Sequence, residues 1–408
     1  MDQKFSLKDS LFNRQKVEKI AAEIHAVYPR FDRVGFVSQA LSKFPDLELK
    51  ARIVWIAETL AVFLPVDFRD AVTVLIMALP PACDPHLRDD DFGDFIYAPY
   101  SEFVVRHGCT AMDLDFSLQA LKTITTRFSA EDAIRYFINA FPAETMCEIA
   151  KWAVDSHYHV RRLASEGTRP KLPWSQKLVL KPGAAGHVLD LLFSDNTRFV
   201  TRSVANHLND ISKTDPDFVL SQLAKWRDSG KQSDTEMTFI MTHALRTLVK
   251  QGHEGALSFL GFAAAVQVDI LSFEIYDSRK SPSTPLWIKG EDNTVALESP
   301  ACREAKPSDI PKVRIGEAVS FALEIFAKQA ESMLIDYILY FQNKAGAMTN
   351  KKVYKLKQLS LKKNQTVRVE KTHRLRADMS TRQLYPGQHR IEVQVNGQRV
   401  AGGDFILT

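Results

Sequence analysis

The chain has 408 residues, 45% of them hydrophobic and 25% charged, which is the composition of ordinary globular domains and length enough for two or more. Its opening, MDQKFSLKDSLFNRQKVEKI, is charged throughout and reads as no export signal, and the longest apolar run, AVTVLIMALPPA (71–82), is too short to span a bilayer. Four cysteines (Cys83, Cys109, Cys147, Cys302) stand far apart with no C-x-x-C, which argues against a disulfide framework and a zinc site and for a cytoplasmic protein with no membrane partner.

Residues 1 to about 262 read as helix after helix. Val17, Ile20, Ala21, Ile24 and Val27 form one apolar stripe and Leu49, Ile53, Ile56 and Leu60 another, with breaks at Pro29, Pro45, Pro65, Pro80-Pro81, Pro142 and Pro216. A repeat then emerges. Val160, Val200 and Ile240 are 40 residues apart, as are Ala164, Val204 and Ala244, and Leu208 and Leu248 continue the series. Helix pairs recurring at this period mark HEAT-like solenoids, whose curved inner face is the binding surface. Superposed on the repeat, Arg162 matches Arg202 and Thr242, and Glu166 matches Asn206 and Arg246. Arg202, Asn206, His207, His243 and Arg246 make a row of donors suited to phosphate oxygens; bridging between repeats is the plainer use of such charges.

After Phe262 the period changes. VQVDILSFEI (266–275) alternates loosely, a Pro/Ser/Thr-rich stretch at 278–309 reads as an insertion or mobile loop, and clear strands follow. These are VRIGEAVSFALEIF, LIDYILYFQN, KVYKLKQLSL, QTVRVEKTHRL and HRIEVQVNG, the last ending in an Asn-Gly turn. They predict an antiparallel sandwich of immunoglobulin type without the usual disulfide. The fold class is therefore multidomain: an all-α HEAT-like solenoid over 1–262 and an all-β immunoglobulin-like domain over 263–408. From Pro311 onward Lys+Arg number 17 against 8 Asp+Glu, whereas the preceding residues carry 36 against 41. The basic module suits a polyanion; solvated lysines that guard sheet edges explain it equally well.

The common catalytic motifs are missing. KPGAAGH (181–187) lacks the Gly-Lys-Ser/Thr of a phosphate loop, no H-E-x-x-H or Gly-x-Ser-x-Gly occurs, and His157 and His159 are poorly spaced for a shared metal. No metal and no cofactor is expected. What remains is a set of carboxylates in cationic or aromatic surroundings. Glu166 lies one helical turn beyond Arg162, with Gly167 ending the helix and Arg169 and Trp174 following. Glu131 falls in an early helical turn if Ser129 is the cap, with Arg135 four residues on, and Asp210 lies two turns beyond Arg202. Glu102 stands beside Tyr97 and Tyr100, which also read as core aromatics. Each alone has a structural explanation; on one concave surface they look like a site.

HVRRLASEGTRPKLPW (159–174), RSVANHLNDISK (202–213), HALRTLVKQGH (243–253), DFGDFIYAPYSEFVVRHG (91–108) and RFSAEDAIRYF (127–137) resemble DNA alkylation-repair glycosylases of the AlkC type, relatives of AlkD within the HEAT-like family. KVYKLKQLSL and TRQLYPGQHRIEVQVNG are similar to the immunoglobulin-like domain that some members carry. The resemblance spans nearly the whole chain except 278–309. It implies a monofunctional glycosylase, acting as a monomer on double-stranded DNA and excising cationic bases such as 3-methyladenine and 3-methylcytosine without flipping them into a pocket. It also implies Glu166 as the principal catalytic carboxylate, with Glu131 and Asp210 as partners and Trp174 against the sugar or lesion. Arg162, Arg169 and Arg202 would hold flanking phosphates, with Asn206, His207, His243, Arg246, Tyr97 and Tyr100 completing the DNA surface. The competing readings are a non-catalytic DNA-structure binder and a protein-binding HEAT scaffold.

Overall fold

The computed structural model describes residues 6–86, 89, 92–263, 265–277, 310–377 and 383–408. The expected insertion at 278–309 lies outside them. They pack as two units, Met1–Arg246 and Thr247–Thr408.

The first unit is helical, and its punctuation follows local chemistry. It begins with α1 (Leu7–Leu11), α2 (Arg14–Val27), α3 (Arg33–Ser42), α4 (Leu49–Phe63) and α5 (Phe68–Met77). Asn13, Asp32 and Asp67 cap α2, α3 and α5 by accepting backbone N–H groups of the first turn, which satisfies donors that have no intrahelical partner. Next come α6 (Ala98–Gly108), α7 (Leu114–Thr125), α8 (Ile134–Ala140) and α9 (Pro142–Trp152). Then follow α10 (Tyr158–Glu166), α11 (Gly186–Leu192), α12 (Arg198–Ile211), α13 (Pro216–Asp228) and α14 (Asp234–Lys250), whose last residues, like α15 (Glu254–Phe259), fall in the second unit. Pro142 and Pro216 occupy first helical positions, where a missing N–H costs nothing.

The 40-residue repeat corresponds to α10, α12 and α14. Val160, Val200, Ile240, Ala164, Val204 and Ala244 are all buried, and α10 packs on α12. The repeat also carries a polar signature: Asp155 and Asp195, 40 apart, each accept the backbone N–H two residues on, at 2.8 Å. Salt bridges then stitch successive repeats together, Lys122 to Asp155 at 2.7 Å and Arg161 to Asp195.

The second unit contains β1 (Val268–Asp277), β2 (Lys312–Val313), β3 (Ala318–Ala327), β4 (Glu331–Phe341), β5 (Asn350–Leu361), β6 (Gln365–Arg374), β7 (Gly387–Val395) and β8 (Gln398–Leu407). One sheet has the order β1-β3-β6 and the other β2-β8-β7-β4-β5. Alternate residues face the shared core: Phe321, Leu323 and Ile325 from one sheet, Ile335, Leu339, Ile391, Val393 and Phe405 from the other. The fold is thus an all-α HEAT-like repeat unit followed by an immunoglobulin-like sandwich. Asn396 and Gly397 both have positive φ, 47° and 78°, and the tight β7–β8 turn pairs Val395 with Gln398, as Asn-Gly hairpins require.

The sequence pattern changes at 262/263, but packing divides the chain earlier. Lys250 and Ala263 offer backbone carbonyls to the side chains of Gln394 and Asn396. Gly252 lies so close to Gly397 that a Cβ on either would touch backbone. The end of the helical sequence therefore groups with the sheets.

Candidate active site

Glu166 is the last residue of α10, the end where the helix dipole opposes a negative charge. It is nevertheless only 5% exposed. Gly167 follows in ordinary helical geometry, and a Cβ there would lie 2.4 Å from the Ile134 Cγ2 atom, so close packing against α8 favours glycine. Three side chains hold the carboxylate. Arg169 Nη1 donates to Oε1 at 2.6 Å and Ser203 Oγ to Oε2 at 2.6 Å, while Arg162 Nη2 stands 3.8 Å from Oε1. Ser203 lies on α12 and itself contacts Ser165 Oγ at 2.9 Å. Burial alone would push the Glu166 carboxyl up; the guanidinium charges of Arg162 and Arg169, with the hydrogen bonds from Ser203 and Arg169, outweigh it and hold the group below the ordinary carboxylate value.

Arg162 links this cluster to Glu131. Its Nη1 donates to Glu131 Oε2 at 2.7 Å and to Ser129 Oγ at 2.9 Å. The guanidinium also lies over the rings of Phe199, 4.5 Å from the centroid, and Phe92, 5.5 Å away. Glu131 differs in position from its expected helical turn. Ser129 is not a helix cap, because its hydroxyl donates to Glu131 Oε2 at 2.6 Å, and α8 begins only at Ile134. The Glu131 side chain is 29% exposed, so it meets solvent where Glu166 does not.

Arg169 joins Glu166 to Asp210, with Nε 3.0 Å and Nη2 2.9 Å from Asp210 Oδ2. Lys213 takes the other Asp210 oxygen at 3.0 Å. Burial would lower the Arg169 guanidinium, but Glu166 and Asp210 hold it above its usual value. The segment carrying Arg169 and Trp174 is strapped down by Arg135, which is 1% exposed. Its guanidinium donates to the backbone oxygens of Gly167, Arg169 and Gln176 at 3.1, 2.7 and 2.8 Å. Trp174 is 84% exposed and adopts φ 69°, a conformation rare for a bulky residue and costly unless its surroundings impose it. Lys50 helps impose it, donating to the Trp174 carbonyl at 2.6 Å and pairing with Asp132 at 3.0 Å.

These elements enclose a cavity of about 400 Å³ whose walls include Glu131, Arg162, Glu166, Arg169, Trp174 and Arg202. Phe92, Phe199, Ser203 and Asn206 complete its functional lining. No lysine lines it among the described residues, and no cluster there has the groups to hold a metal. No helix among the described residues is long and apolar enough to cross a membrane.

Four sequence expectations need correction. His207 cannot reach phosphate: it is fully buried, with Nδ1 3.2 Å from the Ser165 carbonyl and Nε2 without a partner. Burial lowers its pKa to about 4. Tyr97 and Tyr100 are core residues, 1% and 0% exposed, with the Tyr97 hydroxyl donating to Glu23. Asp210 does not line the cavity; it stands behind Arg169 and positions it. Arg135 serves backbone carbonyls rather than Glu131.

Of the expected phosphate donors, Arg162 and Arg169 are engaged with the cavity's carboxylates, and Arg202 pairs with Asp89. Asn206 Oδ1 accepts from His243 Nε2 at 2.9 Å and Arg246 Nη2 at 3.0 Å. Sequence reasoning missed Phe92, Ser129, Phe199 and Ser203. The repeat held a signal for one of them, since Phe199 matches His159 and Phe239 at the 40-residue interval.

Residues 305–408 match the family model described as "Uncharacterised protein YhaZ, C-terminal Ig-like domain". A curated relative, the uncharacterized protein YhaZ of Bacillus subtilis (strain 168), is 27% identical over 399 residues, 97% of this chain and 98% of that one. Among solved structures, the Pseudomonas fluorescens alkylpurine DNA glycosylase AlkC, bound to DNA containing an abasic site analog, matches with a TM-score of 0.81 and 31% identity. That match covers 99% of this chain and 100% of the AlkC chain. Identity at this level over the full length of both chains shows the relationship: the chain belongs to the AlkC family.

Proposed function

We propose that this protein is a monofunctional DNA glycosylase that hydrolyses the glycosidic bond of cationic alkylated bases, 3-methyladenine and 3-methylcytosine, in double-stranded DNA. It works as a monomer on chromosomal DNA in the cytoplasm, without a cofactor and without flipping the base into a pocket. The observation that carries this reading is the buried, deprotonated Glu166 carboxylate in the wall of a cavity rimmed by an exposed tryptophan.

An alkylated ring nitrogen makes the base cationic. When the C1′–N bond breaks, its electron pair leaves with the base, which departs neutral and needs no proton. The work left to the protein is to stabilise an oxocarbenium-like sugar and deliver water to C1′. Fixed negative charge does the first, and Glu166 is held rigidly by Arg169 and Ser203 for that role. Glu131, the more exposed carboxylate, orients the water and takes its proton as the C1′–O bond forms. Trp174 presents its ring to the sugar or lesion. Arg202 and the Asn206–His243–Arg246 group face the flanking phosphates. The four lysines of edge strand β5, Lys351, Lys352, Lys355 and Lys357, are exposed and give the sandwich a second contact with the duplex backbone.

The decisive measurement is chromatography of bases freed from methylated DNA. Native protein releases 3-methyl bases, and Glu166→Gln binds the same DNA but releases them far more slowly. Full activity in that variant sinks the catalytic assignment. Converting the four β5 lysines to glutamate is expected to weaken DNA binding and flatten its dependence on salt; an unchanged salt slope removes the sandwich from the interface.

A further inference from the structure

Arg162 and Arg202 stand at equivalent places 40 residues apart, yet their side chains are exposed to different degrees, 8% and 31%. What covers Arg162 is a pair of rings. Its guanidinium lies 4.5 Å from the Phe199 centroid and 5.5 Å from that of Phe92, and the two rings meet edge to face, 5.1 Å apart. Both separations fall within reach of a cation–π attraction, and guanidinium, being weakly hydrated, favours such surfaces. Phe199 is buried, whereas Phe92 is 50% exposed in a cavity whose wall also carries Glu131, Arg162, Glu166, Arg169 and Arg202.

The backbone fixes Phe92 in that place. Gly93 has φ 73° and forms a bridge with Phe128, and the Asp94 N–H donates to the Arg127 carbonyl at 2.9 Å. A Cβ on Gly93 would lie 1.8 Å from that same oxygen, so only glycine allows the approach. Phe92 is thereby fastened beside the segment that leads through Ser129 to Glu131. There, Arg162 Nη1 donates to Glu131 Oε2 at 2.7 Å and Ser129 Oγ donates to the same oxygen at 2.6 Å. Among the described residues both donors take Oε2, which leaves Oε1 for water. A guanidinium so covered, and committed to Glu131, Ser129 and Glu166, has little surface left for a phosphate.

We propose that Phe92 is a positioning residue for the hydrolytic step. With Phe199 it keeps Arg162 on Glu131 Oε2 and off the DNA backbone, so that Oε1 alone accepts the proton of the attacking water. The proposal rests on the glycosylase reading for the water's target. It adds that an aromatic clamp, rather than a phosphate, is the partner of Arg162.

Two variants of the full-length protein test it. Phe92→Leu keeps apolar bulk but removes the π face, and Phe92→Tyr keeps the face. Single-turnover base release from methylated duplex DNA is expected to fall about fivefold in Phe92→Leu, the rate equivalent of one partly exposed cation–π contact. Phe92→Tyr should restore the native rate. DNA affinity and its salt slope stay native in both, because no phosphate contact is lost. The clamp also has a signature that needs no activity. The Arg162 Nε–H resonance of nitrogen-15-labelled protein, shifted by the ring currents in the native protein and Phe92→Tyr, moves toward the usual arginine position in Phe92→Leu. Phe92 is half exposed, so the leucine variant folds, and its melting temperature checks this.

A native rate in Phe92→Leu overturns the proposal, as does failure of Phe92→Tyr to restore activity. Weaker DNA binding in Phe92→Leu overturns it too, and a salt slope flattened by about 0.9 would instead make Arg162 a phosphate ligand. An Arg162 resonance indifferent to the substitution removes the clamp itself. Native protein that releases no base but shows the ring-shifted resonance has lost the glycosylase reading alone.

Discussion

The rungs that carry Glu166 and Asn206 occupy equivalent positions 40 residues apart, on neighbouring packed helices, yet they have opposite electrostatics. At the first, a carboxylate is buried and drawn down in pKa by Arg162 and Arg169. At the second, a neutral amide accepts from His243 and Arg246, and the His243 pKa is lowered to about 4 by burial and then by the nearby arginines, Arg246 first. One rung is prepared for positive charge and the next is a cationic patch with no anion of its own at that position. The helical framework is common to both; the charge is set by one side chain per repeat.

Breaking the first rung gives the largest expected effect. Arg169→Met strands Glu166 and Asp210 without their shared cation, and loss of one partner from a buried ion pair costs about 3–5 kcal/mol. Thermal denaturation measures it, and a cost under about 1 kcal/mol would mean that the cluster is not coupled. Glu166→Gln keeps shape and hydrogen bonding but removes charge. Its expected loss in base-release rate is about 10²–10³-fold, by analogy with removing one preorganised electrostatic group. Asn206→Ala on the second rung tests the contrast and should cost activity less, chiefly through weaker DNA binding. Equal losses from the two would erase the distinction between the rungs.

Acid sharpens the comparison further. His207 lies beneath both rungs with its pKa lowered to about 4, whereas the unfolded chain protonates it near 6.5. The unfolded state therefore binds the extra proton between those values, so stability falls as pH drops through that window. Going from pH 7 to pH 5 should cost about 2 kcal/mol from this residue, and His207→Leu should flatten that part of the profile. Glu166 acts lower. Its depressed folded pKa contributes stability above the ordinary carboxylate range, lost as pH falls through the folded value. The smallest effect belongs to Trp174→Ala. An indole 84% exposed should change stability by less than about 0.5 kcal/mol while base release falls clearly; a large drop in melting temperature would make Trp174 structural.

The glycosylase motifs and the 40-residue repeat were legible because they are local and periodic. Val160, Val200 and Ile240 recur at an interval that places them in the core, and Glu166 with Arg162 and Arg169 falls within three or four residues along one helix end. The pairing of Glu131 with Arg162 was not legible, since it joins residues 31 apart from a turn and a helix. Ser203 and Phe199 reach the site from a neighbouring repeat, and Arg135 works through backbone carbonyls that no side-chain pattern reveals. The misplacement of His207 has a simple cause. It is adjacent to Asn206, but one residue along a helix is a rotation of about 100°, enough to carry a side chain from the cavity wall to the core. Strand β8 was missed because AGGDF dilutes its alternation, and only pairing with β7 makes it a strand.

Sequence alone determined which half is helical and which extended, where the repeat lies and which residues carry the family's motifs, because hydrophobic period and capping chemistry act over a few residues. Tertiary structure decided which charges neutralise one another, which polar atoms stay open, and that Asp210, His207, Tyr97 and Tyr100 stand behind the site rather than in it. Those outcomes depend on distances between residues tens of positions apart, and they are fixed only when helices pack and water leaves.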